Sequence, residues 1–511
     1  MGIQTELMAA NWSTIVQALV TLPLVSFIGI AIYNFFFHSL RCYPGPKLWA
    51  ITNIPWNYYN LRCRLPFRLL ELHNQYGPVV RISPGQLSYN SPASWKGVYS
   101  GTGTTENLKD LHQGFGIPQE ADPNEWPMTV SDTSKHRRIR RALLPAFSER
   151  ALRDQTPLIK SYIDLLITRL RERADKGPED INTWVNRFTF DTLGHFCFGT
   201  SFGALEDSKT PDAVDVLSES GGYLPISQFA IQYGLTRILA LFAPTAMVNT
   251  MKEFNRVTTG LVQGVMDQMK AGATSSGLFL SYVLEDPEAK KHISQKEASI
   301  EGRMILTAGA ETTTSAITGS LYYISKNPAT YQEIVKEIRS TFSSEDQMTN
   351  EAVAALKYTN AVLKESLRLY PPVPGTIPRV TPASGAQILG QYVPGNTIVG
   401  VSPFSASRSA KNFHQPDQFH PERWLAKESG VPEHQVFLND KTEASQPFSY
   451  GPRSCLGKSL AWVEIRHLLT RLLWNFDIAV APESENWMDA QLATVPWVKA
   501  GLMVNLKPIV R

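Results

Sequence analysis

Along the chain, apolar and polar positions fall into two unlike regimes. Between Thr14 and Leu40 there is no Asp, Glu, Lys or Arg, and Ile15 to Phe37 is nearly unbroken apolar sequence that includes Phe35-Phe36-Phe37. At about 1.5 Å per residue a helix of that length crosses the roughly 30 Å hydrocarbon core of a bilayer with some tilt. A cleaved leader has a basic start and a shorter apolar run; here the start is acidic at Glu6. The pattern therefore predicts one retained transmembrane anchor over 15–37, preceded by a luminal tail over 1–14. Arg41 and Lys47 follow the span and no basic side chain precedes it, which places the body in the cytosol. Asn11-Trp12-Ser13 is then a luminal glycosylation sequon, with Asn11 as its acceptor. Tyr43-Pro44-Gly45-Pro46 denies the helix its continuation, so 38–50 reads as a stiff, extended linker to a body over 51–511.

The body alternates differently. Helical spacing of apolar residues is found over Ser134–Phe147, Thr156–Lys176, Trp184–Phe198, Ser294–Lys326, Asn350–Leu369 and from Leu456 onward. Pro78–Tyr89 reads as two short strands around Pro84-Gly85, and residues 386–402 as a hairpin turning at Pro394-Gly395. Gly101–Ser131 is a long polar loop, and Ala271–Gly277 a flexible connection. The expected fold is mainly α with small β-sheets, in one unit behind the anchor.

Composition narrows the function. Of 511 residues 43% are hydrophobic and 19% charged, which excludes a disordered or coiled-coil chain. Lys plus Arg is 49 against 46 Asp plus Glu, too balanced for a wholesale nucleic-acid binder. Four cysteines (Cys42, Cys63, Cys197, Cys455) are too few and too scattered for a disulfide scaffold or an all-Cys zinc site.

One of them stands in an unusual setting: Phe448-Ser449-Tyr450-Gly451-Pro452-Arg453-Ser454-Cys455-Leu456-Gly457. Gly451-Pro452 makes a tight turn and Arg453 offers a fixed cation suited to a carboxylate. Cys455 is expected at the amino end of the next helix, where the dipole and free N–H groups lower a thiol pKa. Gly457 lets something flat approach the backbone, and Phe448 supplies an apolar wall.

This stretch resembles the haem-binding signature of the cytochrome P-450 superfamily, Phe-x-x-Gly-x-Arg-x-Cys-x-Gly, matched at 448, 451, 453, 455 and 457. The resemblance implies that Cys455 is the axial thiolate of a haem b iron and that Arg453 pairs with a propionate. Ala308-Gly309-Ala310-Glu311-Thr312-Thr313 is similar to the family's distal motif, in which Glu311 and Thr312 are the acid and alcohol of a proton relay. From the residues alone, Thr312 can bond back to the carbonyl of Ala308 and bend the helix. Glu365-Ser366-Leu367-Arg368 and Pro421-Glu422-Arg423-Trp424 resemble two further family elements, implying a structural triad of Glu365, Arg368 and Arg423. Trp424 departs from the family's Phe. His136 and Arg140, four apart on one helix, and Arg379 match propionate-holding positions. Lys135, Arg137, Arg138 and Arg141 around them read either as a solvated face or as a docking patch for an acidic electron donor.

The resemblance runs the length of the chain and implies a membrane-anchored monooxygenase of the endoplasmic reticulum. It would hydroxylate or epoxidise a lipophilic small molecule with O2 and electrons from an NADPH-dependent reductase. The stretch after Cys455 is too short for a flavin domain, so the donor is expected to be a separate protein. HRRIRRALLPAFS and FSYGPRSCLGKSLA look like filamentous-fungal members of secondary-metabolite pathways. Pocket walls are expected from the 101–131 loop, the 205–250 region, the helix near Leu306 and Ala310, residues 373–377 and residues 493–497. Two alternatives stay open: a redox-neutral haem-thiolate isomerase or dehydratase, against which Glu311-Thr312 argues, and a haem-binding non-enzyme.

Overall fold

The computed structural model describes residues 2–100, 122–242, 244–270, 278–284 and 293–510. Most of the Gly101–Ser131 loop and the Ala271–Gly277 connection lie outside the described residues. The anchor is a helix, α1 (Gly2–Ile32), closed by a wide turn over Tyr33–Phe37. It extends well before the apolar run, through Asn11, whose side chain is outside what is described. Gln17–Phe37 has a mean hydropathy of 2.0 and is almost wholly exposed, as a lipid-facing helix must be.

The linker is not a free spacer. Leu40 is fully buried, the Arg81 N–H donates to the Pro44 carbonyl at 2.7 Å, and Gly45 passes so close that a β-carbon would lie 2.4 Å from the Arg81 carbonyl oxygen. Asn34, buried at the end of the anchor, donates to the Ile51 carbonyl at 2.9 Å, and its own carbonyl accepts from Arg81 at 3.2 Å. The anchor is thus tied to the first sheet by hydrogen bonds.

That sheet has four strands in the order β1 (Val79–Ser83), β2 (Gln86–Tyr89), β6 (Ile398–Val401), β3 (Arg379–Val380). β2 and β6 run parallel with Leu87 opposite Val399, and β3 closes the edge antiparallel with Arg379 opposite Val399. The predicted 386–402 hairpin is shorter than expected. β4 (Ala386–Ile388) and β5 (Gln391–Val393) turn at Leu389-Gly390, whose positive φ angles suit a tight turn, whereas Pro394-Gly395 leads out into β6 of the other sheet.

The helical body is built from α2 (Thr133–Leu143), α3 (Glu149–Arg171), α4 (Ile181–Phe198), α5 (Gln295–Lys326), α6 (Lys357–Leu369) and α7 (Lys458–Asn475). Their apolar faces share one core in which Ile163, Phe188, Ile317, Leu363 and Leu468 are fully buried. α5 begins with a reciprocal cap: the Ser294 hydroxyl accepts from the Glu297 N–H, and the Glu297 carboxylate accepts from the Ser294 N–H. Asp132 caps α2 in the same sense, accepting from Ser134 and Lys135. The predicted 350–369 helix is broken at Leu356, which lies in extended backbone. The last helix begins at Lys458, later than the expected Leu456, because residues 456–457 are still in a turn.

Beneath the site, α6 and the 421–424 turn form a fully buried ionic knot. Arg368 donates to both carboxylate oxygens of Glu365 (2.9 and 2.8 Å), and Arg423 Nε donates to Glu365 Oε1 at 3.0 Å. All three side chains have zero exposure. Arg368 also donates to the carbonyls of Ser407, Pro416 and Gln418, and Arg423 pairs with Asp440. Trp424 adds a bond that a Phe could not make, Nε1 to Glu365 Oε2 at 2.9 Å. Burial pushes the Glu365 carboxyl up, but the charges and hydrogen bonds of Arg368 and Arg423 outweigh it and hold it below its ordinary value.

Glu365→Gln leaves two buried guanidinium groups without their shared anion, at a cost of about 3–5 kcal/mol. That is a large share of the about 5–15 kcal/mol that holds a typical domain folded. The variant is expected to show a markedly lower chemical-denaturation midpoint and poor soluble yield; a midpoint equal to the parent's contradicts this reading of the knot.

Candidate functional site

The cysteine turn is held from three sides. Gly451 has φ +78°, and a β-carbon there would lie 1.9 Å from the Tyr99 carbonyl oxygen, so neither the conformation nor the space admits another residue. The Cys455 N–H donates to the Phe448 carbonyl at 2.9 Å, closing the loop. Arg140 of α2 donates to the Ser454 carbonyl at 2.8 Å, while Arg453 donates to the carbonyls of Ser131 (2.6 Å) and Met128 (3.2 Å). Phe448 packs near Trp462, with ring centroids 5.9 Å apart.

Cys455 precedes its helix by three residues instead of standing in the first turn. Neighbouring protein atoms push its thiol up although the residue is exposed; the Gly457 N–H and the charges of Arg140 and Lys458 oppose that shift without cancelling it. The expectation of a lowered thiol pKa is thereby corrected. A helix start three residues away acts only weakly on the sulfur.

Cations surround the turn. His136 is buried on α2, and burial together with the charges of Arg453, Arg140, Arg379 and Arg137 pushes it down to about 3. It is a neutral imidazole at physiological pH, able to donate one N–H. Arg379, on the sheet edge, donates to the Pro378 carbonyl and lies 5.0 Å from the centroid of the Tyr99 ring. His136 and Arg140 of one helix, and Arg379 and Arg453 from distant parts of the sequence, converge on one place.

Across from the turn runs α5. Thr312 Oγ1 donates to the Ala308 carbonyl at 2.7 Å, the back-bond anticipated from sequence. Ala308 is exposed and Thr312 partly so, although the helix lies in the middle of the core. Leu306 and Ala310 themselves are fully buried in the hydrophobic core, while on the stretch of helix near them Ala308 is the exposed position. Residues 301, 305, 308 and 312 form one stripe of the helix, and 306 and 310 lie off it. Glu311 lies beside that stripe. Its carboxylate pairs with Lys499 and accepts from Asn186 of α4 at 3.2 Å. Lys499 lies two residues beyond the 493–497 turn, and no local signal ties it to position 311.

Of the basic face around His136, two members are engaged inside the fold. Arg138 pairs with Glu297 at 2.5 Å, and Lys135 donates to the carbonyls of Asn124 and Trp126. Arg137 and Arg141 remain exposed. A half-open cavity of about 560 Å³ lies farther out, bounded by Trp56, Gln228, Ile231, Gly375, Thr376 and Val495 among others. It draws on the 205–250, 373–377 and 493–497 regions but not on α5 or the cysteine turn, so it does not contain the site.

A model of the cytochrome P450 family matches residues 43–504. The chain is 38% identical over 505 residues to the cytochrome P450 monooxygenase aclL of Aspergillus oryzae, covering 97% of this chain and 98% of that one. It is 38% identical to the cytochrome P450 monooxygenase stcF of Emericella nidulans (94% and 97% covered) and 36% identical to the averantin hydroxylase of Dothistroma septosporum (93% and 88%). Matched by the family model over most of its length and by relatives end to end, this chain belongs to the cytochrome P450 family.

Proposed function

We propose that the protein is a haem-thiolate monooxygenase of a fungal secondary-metabolite pathway, in which Cys455 is the axial ligand of iron. The family's cofactor is haem b, working with O2 and with NADPH-derived electrons delivered by a reductase. The donor set here fits that group: one thiol beside an aromatic wall, and three arginines and a neutral imidazole gathered where two carboxylates need partners. That convergence is the observation that carries the proposal. Bound there, haem supplies dioxygen activation and oxygen insertion into a C–H or C=C bond, and thiolate ligation favours O–O cleavage.

The remaining roles belong to side chains. Cys455 would hold the iron through its thiolate, with the metal as the sulfur's positive partner. Arg453, Arg140, Arg379 and the N–H of His136 orient the propionates, and Phe448 shields the sulfur from water. Glu311 takes up a proton on the side of Asn186 and Lys499. Thr312 Oγ1, on the pocket side, passes it on through water, a general-acid function that asks for a relay and no nucleophile. Glu365, Arg368 and Arg423 act structurally, holding the layer on which the cysteine turn rests.

The membrane reading is supported by more than the anchor. Leu48, Ile54, Tyr58, Leu241 and Phe242 are exposed on elements next to its base, Leu241 to 82% and Phe242 to 78%. Exposed apolar side chains of this size are costly in water and suit lipid. They border the 560 Å³ cavity, a route by which a lipophilic substrate enters from the bilayer. Residence in the endoplasmic reticulum with the catalytic body in the cytosol and Asn11 in the lumen follows from this orientation, as does electron supply by a membrane-bound NADPH-dependent reductase approaching Arg137 and Arg141. The substrate class is a lipophilic small molecule comparable with those of the relatives, one of which hydroxylates averantin.

With substrate and reductase, Thr312→Ala is expected to keep consuming NADPH while product formed per NADPH falls on the order of a hundredfold, the lower end of what a positioned proton-transfer group contributes. Unchanged yield and coupling contradict the relay. Feeding pathway intermediates to a host that carries this protein and a reductase, with products read by mass spectrometry, is expected to give a product one oxygen heavier, or a product of further oxidation. Turnover that persists without reductant and oxygen would establish the redox-neutral alternative instead.

A further inference from the structure

Glu301 plays no part in the reading above, yet it is among the most enclosed acids of the chain. It lies on α5, eleven residues before Thr312 and on the same stripe of the helix, with 1% of its surface exposed. One oxygen, Oε1, accepts from the Met128 N–H at 2.7 Å; the other, Oε2, is buried without a hydrogen-bond partner among the described residues. Burying a carboxyl with half of its capacity unmet is unfavourable unless the contact it does make matters.

That contact leads directly to the cofactor seat. Met128 opens a short turn, Met128–Val130, and its carbonyl accepts from Arg453, as does the carbonyl of Ser131. The Ser131 hydroxyl bonds back to the carbonyls of Trp126 and Pro127, and Asp132 follows as the cap of α2, which carries His136 and Arg140. The segment 128–132 is therefore gripped by Glu301 from one helix and by Arg453 from the cysteine turn, and it sets where α2 begins.

We propose that Glu301 is a positioning residue for the haem: by accepting the Met128 N–H it pins the Met128–Asp132 segment against α5 and so fixes Arg453, His136 and Arg140 at the propionates. This rests on the haem-thiolate reading of the site. The neutral form suits the place. Burial is the main cause that pushes the acid up to about 8, opposed by the Met128 N–H and by Lys135. The charged groups around it are Lys135 and Arg138 on α2, Glu297 and Arg303 on its own helix, and Glu125 on the preceding turn; Arg138 is neutralised by Glu297. The native pKa lies above the unfolded one, so the native state holds the extra proton between the two values. Its contribution is present below the unfolded pKa and is lost as pH rises toward about 8, where the buried carboxylate forms.

The test uses the full-length holoprotein in detergent, with the rate of haem transfer to excess apomyoglobin as the readout. Glu301→Gln keeps a neutral acceptor for the Met128 N–H; Glu301→Leu removes it. At pH 6.5 the Gln variant is expected to lose haem at the parent's rate and the Leu variant roughly fivefold faster, the worth of one buried hydrogen bond. Between pH 6.5 and 9 haem loss from the parent is expected to accelerate, and from Glu301→Gln to stay flat by comparison. A Leu variant that holds haem as the parent does, a Gln variant as leaky as Leu, or a parental pH dependence that persists in Glu301→Gln overturns the proposal. If the Leu variant fails to fold, the pH profiles of parent and Gln variant decide alone. The carbonyl spectrum of each variant is recorded alongside: a thiolate-type band throughout keeps this outcome separate from any failure of Cys455 as ligand.

Discussion

The candidate site depends on one turn, held by backbone contacts, that gathers a thiol and several cations in one place. Cys455 is exposed on that turn, and its helix begins three residues later. The turn is fixed by backbone: Gly451 against the Tyr99 carbonyl, Cys455 back to Phe448, Arg140 and Arg453 on main-chain carbonyls. Guanidinium groups held on carbonyls keep their charge and their position. In the proposed function an iron porphyrin would bring a cation to the sulfur and anions to the arginines.

The chain handles buried charge in three different ways. Behind the site Glu365 is ionised and fully compensated by Arg368 and Arg423, an arrangement whose value is rigidity more than net stability. On α5 Glu301 is compensated by neutralisation, carrying its proton into the core. Glu311 lies between these extremes, nearly buried and paired with Lys499. The proposed relay acid is thus paired with a single lysine, whereas the structural acid is locked by two arginines.

Much of this was legible from the residues. The cysteine turn, the back-bonded Thr312 and the spacing of Glu365 and Arg368 are local, and local chemistry survives folding; so did the long helix over 295–326 with its reciprocal cap. What the sequence hid is what depends on partners far along the chain. Nothing near position 311 points to Lys499, and nothing near 301 points to Met128. An apolar run does not say which of its faces looks inward: Leu306 and Ala310 are buried, whereas Ala308 on the same stretch is exposed. The 386–402 hairpin was read one turn too late, since Pro394-Gly395 is a stronger turn signal than Leu389-Gly390, yet the pairing of β6 with β2 claimed the residues beyond it. The thiol pKa went astray for a related reason: helix starts are visible in sequence to within a few residues, and a dipole's effect fades within one turn.

One spectrum addresses the foundation of the account. The protein, produced with ample porphyrin precursor and purified with its anchor in detergent, is reduced and exposed to carbon monoxide. A red-shifted Soret band of the thiolate-ligated type, abolished in Cys455→Ser, is the predicted result. A colourless preparation, or a carbonyl complex absorbing like an imidazole-ligated haem, would contradict it.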